Sequence, residues 1–142
     1  MRIFFGGPLT NLKDGLATKE FYTKMADVAT HNGFDYYWAW QRGTDPDEDP
    51  EVPASRVYQI DSYELEKSDM MVAYVGEPST GTGIEIEYAR RNRIPVVIMY
   101  EKGRKISRML RGCPSVKFII EYDTHEEALA QLDAYLKYVK KI

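Results

Sequence analysis

Met70-Met71-Val72-Ala73-Tyr74-Val75 is a continuous apolar run that leads straight into Gly76-Glu77-Pro78-Ser79-Thr80-Gly81-Thr82-Gly83-Ile84-Glu85, and a helical pattern follows over Gly83–Asn92. A strand that is apolar at every position, not at alternate ones, reads as buried on both faces of a sheet. Three further runs repeat the pattern: Ile3–Phe5, Pro95–Tyr100 and Val116–Ile120. Asp35–Trp38 is a more aromatic version suited to a place nearer an edge. Helical spacing separates the runs: Leu16, Phe21, Met25 and Val28; then Ser55–Lys67; then Gly83–Asn92; then a short turn at Lys105–Leu110. Thr124 and Glu127 have the spacing of a capping box ahead of Leu129, Leu132, Leu136 and Val139. Strand and helix alternating at this pitch predict βαβ units with right-handed crossovers. The expected fold is α/β, a doubly wound five-stranded parallel sheet in a flavodoxin-like or Rossmann-like three-layer sandwich, with residues 1–142 as one domain. In such sheets ligands bind beyond the carboxyl ends of the strands, where strand order reverses. That rule directs attention to Gly6–Thr10, the loop after Trp38, and Gly76–Gly83.

Composition narrows the function. A chain of 142 residues has room for one core, so a site must sit on that core or between copies of it. Nineteen basic against 22 acidic side chains argue against a protein held mainly by nucleic-acid phosphates. Five of the acids, Asp45, Asp47, Glu48, Asp49 and Glu51, fall in one proline-rich stretch from Gln41 to Pro53, and outside it acids and bases nearly balance. That stretch is too long and polar for a simple turn, and reads either as a substrate lid or as a solvated loop. One cysteine, Cys113, and two histidines are too few for a standard zinc site, so no metal is expected. The short apolar start Ile3–Phe5 reads as no signal peptide and no run approaches a membrane span, so a cytoplasmic enzyme or binding module, without membrane or nucleic-acid partners, is expected.

The glycines and hydroxyls of 76–85 suit a loop whose backbone amides approach an anion at a helix N-terminus. It is no P-loop, since no Gly-Lys-Ser/Thr follows, and no dinucleotide fingerprint, since Ile86 stands where the third glycine would be. Glu85 falls in the first turn of the expected helix, where the dipole favours a carboxylate. Tyr88 and Ala89, three and four residues on, place it on the face toward the sheet, while Glu87 with Arg91 at i+4 looks exposed. Asp61 repeats the pattern on the preceding helix, between Val57, Tyr58 and Leu65. A buried acid is costly unless it is hydrogen-bonded. Two such acids at one crevice can serve as nucleophile and general acid in glycosyl transfer; a structural Asp61, capped or bonded to a tyrosine, is the other reading. His31 and His125 read as surface residues. Tyr36, Tyr37, Trp38 and Trp40 read as core or edge packing, and those beyond the strand end can stack on a planar base.

Phe4-Phe5-Gly6-Gly7, Asp61 with Leu65 and Ser68-Asp69, Val72–Val75 leading to Pro78-Ser79 and Gly81–Glu85, and Ser107-Arg108-Met109 before Gly112 resemble the nucleoside 2-deoxyribosyltransferase superfamily. Its central piece, an acid 24 residues before the glutamate of the glycine-rich segment, is matched by Asp61 and Glu85. The resemblance implies that Glu85 attacks the anomeric carbon of a nucleoside sugar and that Asp61 assists protonation or sugar positioning. It also implies substrate contacts from Phe4, Gly6, Gly7, Trp38, Ser79, Gly81 and Gly83, and from Ser107 and Met109 lent by a neighbouring copy, so that a homodimer is the smallest complete site. The superfamily holds transferases, which exchange bases on deoxynucleosides, and nucleoside 5′-monophosphate N-hydrolases. Ser79 and Ser107 match the hydrolases, where these hydroxyls hold the 5′-phosphate; Pro8 departs from them, leaving the Gly6 and Gly7 amides to act alone. Phe4 stands where a tyrosine is usual and resembles ribonucleotide-cleaving relatives, which brings CMP-like substrates into range. The leading expectation is thus a cofactor-free nucleotide N-glycosidase, with base transfer as the close alternative. A flavin- or nucleotide-binding module is the alternative of another class, although a flavodoxin phosphate loop follows the first strand and this one follows the third.

Overall fold

Parallel strands need crossovers, and the chain supplies a helix or helical turn between each pair. The computed structural model describes residues 1–142 in the order β1 (Arg2–Gly6), α1 (Gly15–His31), β2 (Asp35–Trp38), a 3₁₀ turn (Ala39–Gln41), α2 (Ala54–Glu66), β3 (Met70–Tyr74), α3 (Thr80–Arg91), β4 (Val96–Glu101), α4 (Arg108–Gly112), β5 (Val116–Tyr122) and α5 (His125–Lys141). The five strands form one parallel sheet in the order β2-β1-β3-β4-β5. The chain winds outward from β1 first to β2 and then, in the other direction, to β3. The switch point therefore lies between the carboxyl ends of β1 and β3, where Gly6 pairs with Ala73.

Side chains alternate across the sheet. Ile3, Phe5, Val72, Val97, Met99 and Ile120 pack against Phe21 and Met25 of α1 and Leu132 and Leu136 of α5. Phe4, Met71, Ala73 and Ile98 face the other way, against Leu65 of α2 and Ile86 and Ala89 of α3. The expected three layers are present. No helix is long and apolar enough to cross a membrane.

Two helix ends solve one problem differently. After α1 the chain reverses through Gly33 at φ 77°, and after α3 through Arg93 at φ 59°. In both, the next amide returns to a carbonyl five residues back, Phe34 to Ala29 at 3.0 Å and Ile94 to Ala89 at 2.9 Å. Glycine adopts this left-handed geometry freely, while arginine carries a penalty of roughly 1–2 kcal/mol.

Three expectations change. First, α3 begins at Thr80, not Gly83, because Ser79 is an effective N-cap: in an extended conformation, its hydroxyl accepts the Thr82 amide at 3.2 Å. Gly81 and Gly83 therefore lie inside the first turn, and Glu85 falls in the second turn, beyond the first-turn position the sequence suggested. Second, β5 is not buried like the inner strands: with a neighbour on one side only, it leaves Lys117, Phe118 and Ile119 exposed. Third, the turn expected at Lys105–Leu110 forms later, as α4, with Ser107 as its cap.

Candidate active site

At the switch point the backbone must pass close to side chains from two layers, and Gly6 at the end of β1 and Gly7 just after it allow this. A Cβ on Gly6 would lie 2.6 Å from Met71 Cε and 3.1 Å from Glu85 Oε2. A Cβ on Gly7 would lie 2.5 Å from the Tyr22 hydroxyl, which donates to the Pro8 carbonyl at 2.9 Å. Gly6 thus makes room for Glu85, and Gly7 for the tyrosine that pins the next residue.

Glu85 reaches from the second turn of α3 toward β1. Its Oε2 is buried and has no hydrogen-bond partner. Burial pushes this carboxyl well above the usual range, and the Asp61 charge adds to the shift. Asp61 comes from α2 and lines the same cavity, which has a volume of about 580 Å³. Burial raises the Asp61 carboxyl too, opposed by two donors to Oδ1, the Tyr37 hydroxyl at 2.9 Å and the Thr44 hydroxyl at 3.2 Å. Asp61 is thus bonded to a tyrosine, as one reading of the sequence has it, and it lines the same cavity as the second acid.

The acidic stretch packs as a wall of this cavity through Thr44, Asp45, Pro46, Asp49, Pro50 and Val52. Asp45 is fully buried and is held by Lys19 of α1 at 2.8 Å and by the Asp47 and Glu48 amides at 2.8 and 3.4 Å. Burial alone would raise its carboxyl, but these donors hold it below the ordinary value. The stretch is thus an anchored turn, not a freely solvated loop.

Gly6, Gly7, Trp38, Ser79 and Gly81 line the cavity together with both acids. Trp38 does so with its ring already engaged, stacked on Phe5 at 5.2 Å and Tyr22 at 4.3 Å, and its indole N–H given to the Tyr22 carbonyl at 3.2 Å. Phe4 is not brought to the cavity; it is fully buried and stacked on Tyr37 at 5.4 Å. Gly83, Ser107 and Met109 line a neighbouring cavity of about 510 Å³, which meets the first at Ser79 and Thr82. In it Ser107 caps α4, accepting the Met109 amide at 3.1 Å, and the Met109 side chain is 84% exposed.

Thr82 is a residue that sequence reasoning did not single out. It lines both cavities, is 4% exposed, and its hydroxyl has no partner. Its place in Gly-Thr-Gly at a helix start was the available signal. Thr44 had none, because its partner Asp61 is 17 residues away. No group of three or more His, Cys, Asp or Glu side chains converges on a point where a metal could sit.

The family model for nucleoside 2-deoxyribosyltransferase matches residues 3–132. A protein of Thermofilum pendens named "Putative 2'-deoxynucleoside 5'-phosphate N-hydrolase 1" is 26% identical over 139 residues, covering 96% of this chain and 95% of its own. One of the same name from Syntrophotalea carbinolica is 36% identical over 73 residues, so the match spans about half of each chain, 50% of this one and 51% of that relative. Among solved structures, the CMP N-glycosidase of Clostridium botulinum superposes with a TM-score of 0.73 at 19% identity, covering 95% of this chain and 99% of that one. The family match over nearly the whole chain and the shared five-stranded fold agree: the protein belongs to the nucleoside 2-deoxyribosyltransferase family and is an enzyme of that superfamily.

Proposed function

We propose that the protein hydrolyses the N-glycosidic bond of nucleoside 5′-monophosphates, with Glu85 as nucleophile and Asp61 as proton carrier. The observation that carries this reading is the pair itself: a buried carboxylate with no donor, in one cavity with a second acid. An acid left without partners inside a fold is destabilising, and a substrate centre that becomes electron-poor is the partner it lacks. Burial raises both carboxyls, Glu85 further than Asp61, and the proposed cycle starts with a proton on Glu85. On reaction that proton passes through Asp61 to the base nitrogen. The Glu85 carboxylate bonds to C1′, the C1′–N bond breaks, and its electron pair leaves with the base. Water then attacks C1′, the C1′–O bond to Glu85 breaks with its electron pair on Glu85, the water's proton returns through Asp61 to Glu85, and sugar 5-phosphate is released.

The start of α3 supports a phosphate at the other end of the substrate. The Ser79 cap takes up the Thr82 and Gly83 amides and leaves those of Thr80 and Gly81, the helix dipole favours an anion, and the unpartnered Thr82 hydroxyl stands beside them. Names of the relatives from Thermofilum and Syntrophotalea agree with a nucleotide substrate. Ser107 and exposed Met109 fit donation to a second copy's site in a homodimer.

One observation favours the second reading, base exchange on unphosphorylated deoxynucleosides: no Lys, Arg or His lines the cavity around Glu85 and Asp61. Chromatography of the purified protein with deoxy- and ribonucleoside monophosphates separates the two. Hydrolysis yields free base and sugar 5-phosphate, whereas exchange yields a new nucleoside only when a second base is added. Full activity in Glu85→Gln would overturn the glutamate mechanism in either form.

A further inference from the structure

We infer that Tyr37 is a positioning residue for Asp61, fixing its orientation from the sheet while Thr44 does so from the acidic wall. This rests on the reading of Glu85 and Asp61 as the reacting pair.

The geometry is specific. Tyr37 sits on β2, buried to 2% exposure, its ring stacked on Phe4 and its hydroxyl aimed across at α2. It donates to Asp61 Oδ1 at 2.9 Å, and Thr44 reaches the same oxygen at 3.2 Å. Oδ2 receives no donor from the chain and is not among the buried atoms. Two donors on one oxygen lock the carboxylate's rotation and leave the other oxygen free to exchange a proton. A phenol held by an aromatic stack, with Asp61 as its acceptor and the Thr44 hydroxyl 3.5 Å away, has few alternative conformations, which makes it a stiff support.

The Thr44 hydroxyl has a second acceptor, the Ala39 carbonyl, also at 3.2 Å. Its one hydrogen can serve Asp61 when that group is ionised and Ala39 when Asp61 is protonated. The pair of donors thus favours the ionised state without blocking the protonated one, as a proton carrier requires. Other charges around Asp61 act in the opposite sense, Glu85 from α3 and Glu64 on its own helix, while Asp45 on the wall of the cavity is paired with Lys19. Tyr37 and Thr44 are the groups that offset burial and these acids.

Tyr37→Phe keeps the ring and removes the hydroxyl. The expected result is a fall in kcat of about 10–100-fold, the scale of losing a hydrogen bond to a charged group, with KM little changed. The acid limb of the pH–rate profile moves to higher pH, because Asp61 loses a donor that lowers its pKa. Thr44→Val moves the same limb in the same direction by less. A kcat and acid limb unchanged in both variants would overturn the inference, as would a loss confined to KM. Glu85→Gln, assayed alongside, keeps the two claims apart: if it is active, the reading of the pair has failed, and if it is dead while Tyr37→Phe behaves as wild type, only the role of Tyr37 has.

Discussion

Glu85 and Glu101 are both glutamates near the carboxyl end of the same sheet, and their surroundings are opposite. Glu101 ends β4 and accepts the Tyr74 hydroxyl at 3.0 Å on one oxygen and the Tyr122 hydroxyl at 3.2 Å on the other. Arg104 pairs with it at 3.1 Å and gives another N–H to the Gly76 carbonyl at 3.1 Å. Glu85 has no such partners on its buried oxygen. One acid is saturated by the protein and ties β3, β4 and β5 together; the other keeps a buried oxygen that nothing in the chain satisfies, as suits the nucleophile proposed above. That contrast separates structural from reactive carboxylates more sharply than burial does, because half-buried acids occur in both roles.

Exchanging each acid for its amide tests the contrast with the largest effect. Glu85→Gln is expected to lower turnover by at least about 10³-fold, the scale of losing a nucleophile, with the fold intact. Its stability should change in the other direction. A carboxyl whose folded pKa is raised contributes stability below its unfolded value, and that contribution is lost as pH rises through the folded value. Wild type therefore weakens toward alkaline pH where Glu85→Gln does not, and the gap between their melting temperatures should widen as pH rises. Glu101→Gln should reverse the pattern, with turnover near wild type and stability reduced by roughly 1–3 kcal/mol through loss of charge-assisted bonds. Equal activity losses in the two variants would remove the distinction.

The same contrast explains what was legible in the sequence. The inner strands are, because burial on both faces leaves unbroken apolar runs such as Met70–Val75, and the Asp61 and Glu85 spacing is, because each acid interrupts an apolar helix stripe. The start of α3 was not, because glycines at 81 and 83 argue for a loop when composition is weighed alone; the Ser79 cap offsets part of their propensity cost, and the packing of Ile86 and Ala89 against the sheet offsets the rest. The exposure of β5 was signalled only by Lys117, since its apolar neighbours Phe118 and Ile119 read as core. Nor were Tyr37 and Thr44 legible as partners of Asp61, since each reaches it across folded distance with no local pattern. The Tyr74–Glu101–Tyr122 cluster is likewise assembled only by the register of three strands.

The glycines beside the two acids give a second, smaller test. A Cβ at Gly76 would lie 2.3 Å from Glu101 Oε1 and 2.4 Å from the Tyr74 hydroxyl, groups locked in a bonded cluster. At Gly6 it would meet the free ends of Met71 and Glu85 at 2.6 and 3.1 Å. Gly76→Ala is therefore expected to destabilise by roughly 3 kcal/mol, the upper part of the usual range for overpacking, seen as a lower urea midpoint. Gly6→Ala should destabilise less but reduce turnover more, since Met71 Cε must shift and the Glu85 carboxyl beside it must give by a few tenths of an ångström. A Gly6→Ala variant with full activity and reduced stability would place Glu85 on the structural side of the comparison.

Asp45 is the third acid of this region and the one saturated through a single long-range ion pair, so its variant should show the smallest effect. Lys19→Met removes the ammonium and leaves the Asp47 and Glu48 amides in place. With Lys19 partly exposed and its charge screened, the expected loss is roughly 1 kcal/mol. The pH dependence is more telling than the size. A carboxyl held below its ordinary pKa contributes stability above the unfolded value, near 4, and loses it as pH falls through the folded value. Without Lys19 the Asp45 carboxyl titrates higher, so the acid side of the stability curve should move up in pH. If the acidic stretch is a fixed wall, turnover at neutral pH changes little. If turnover instead rises or falls with the loss of the pair, the wall takes part in admitting or releasing substrate, and Asp45 belongs with Glu85 rather than with Glu101.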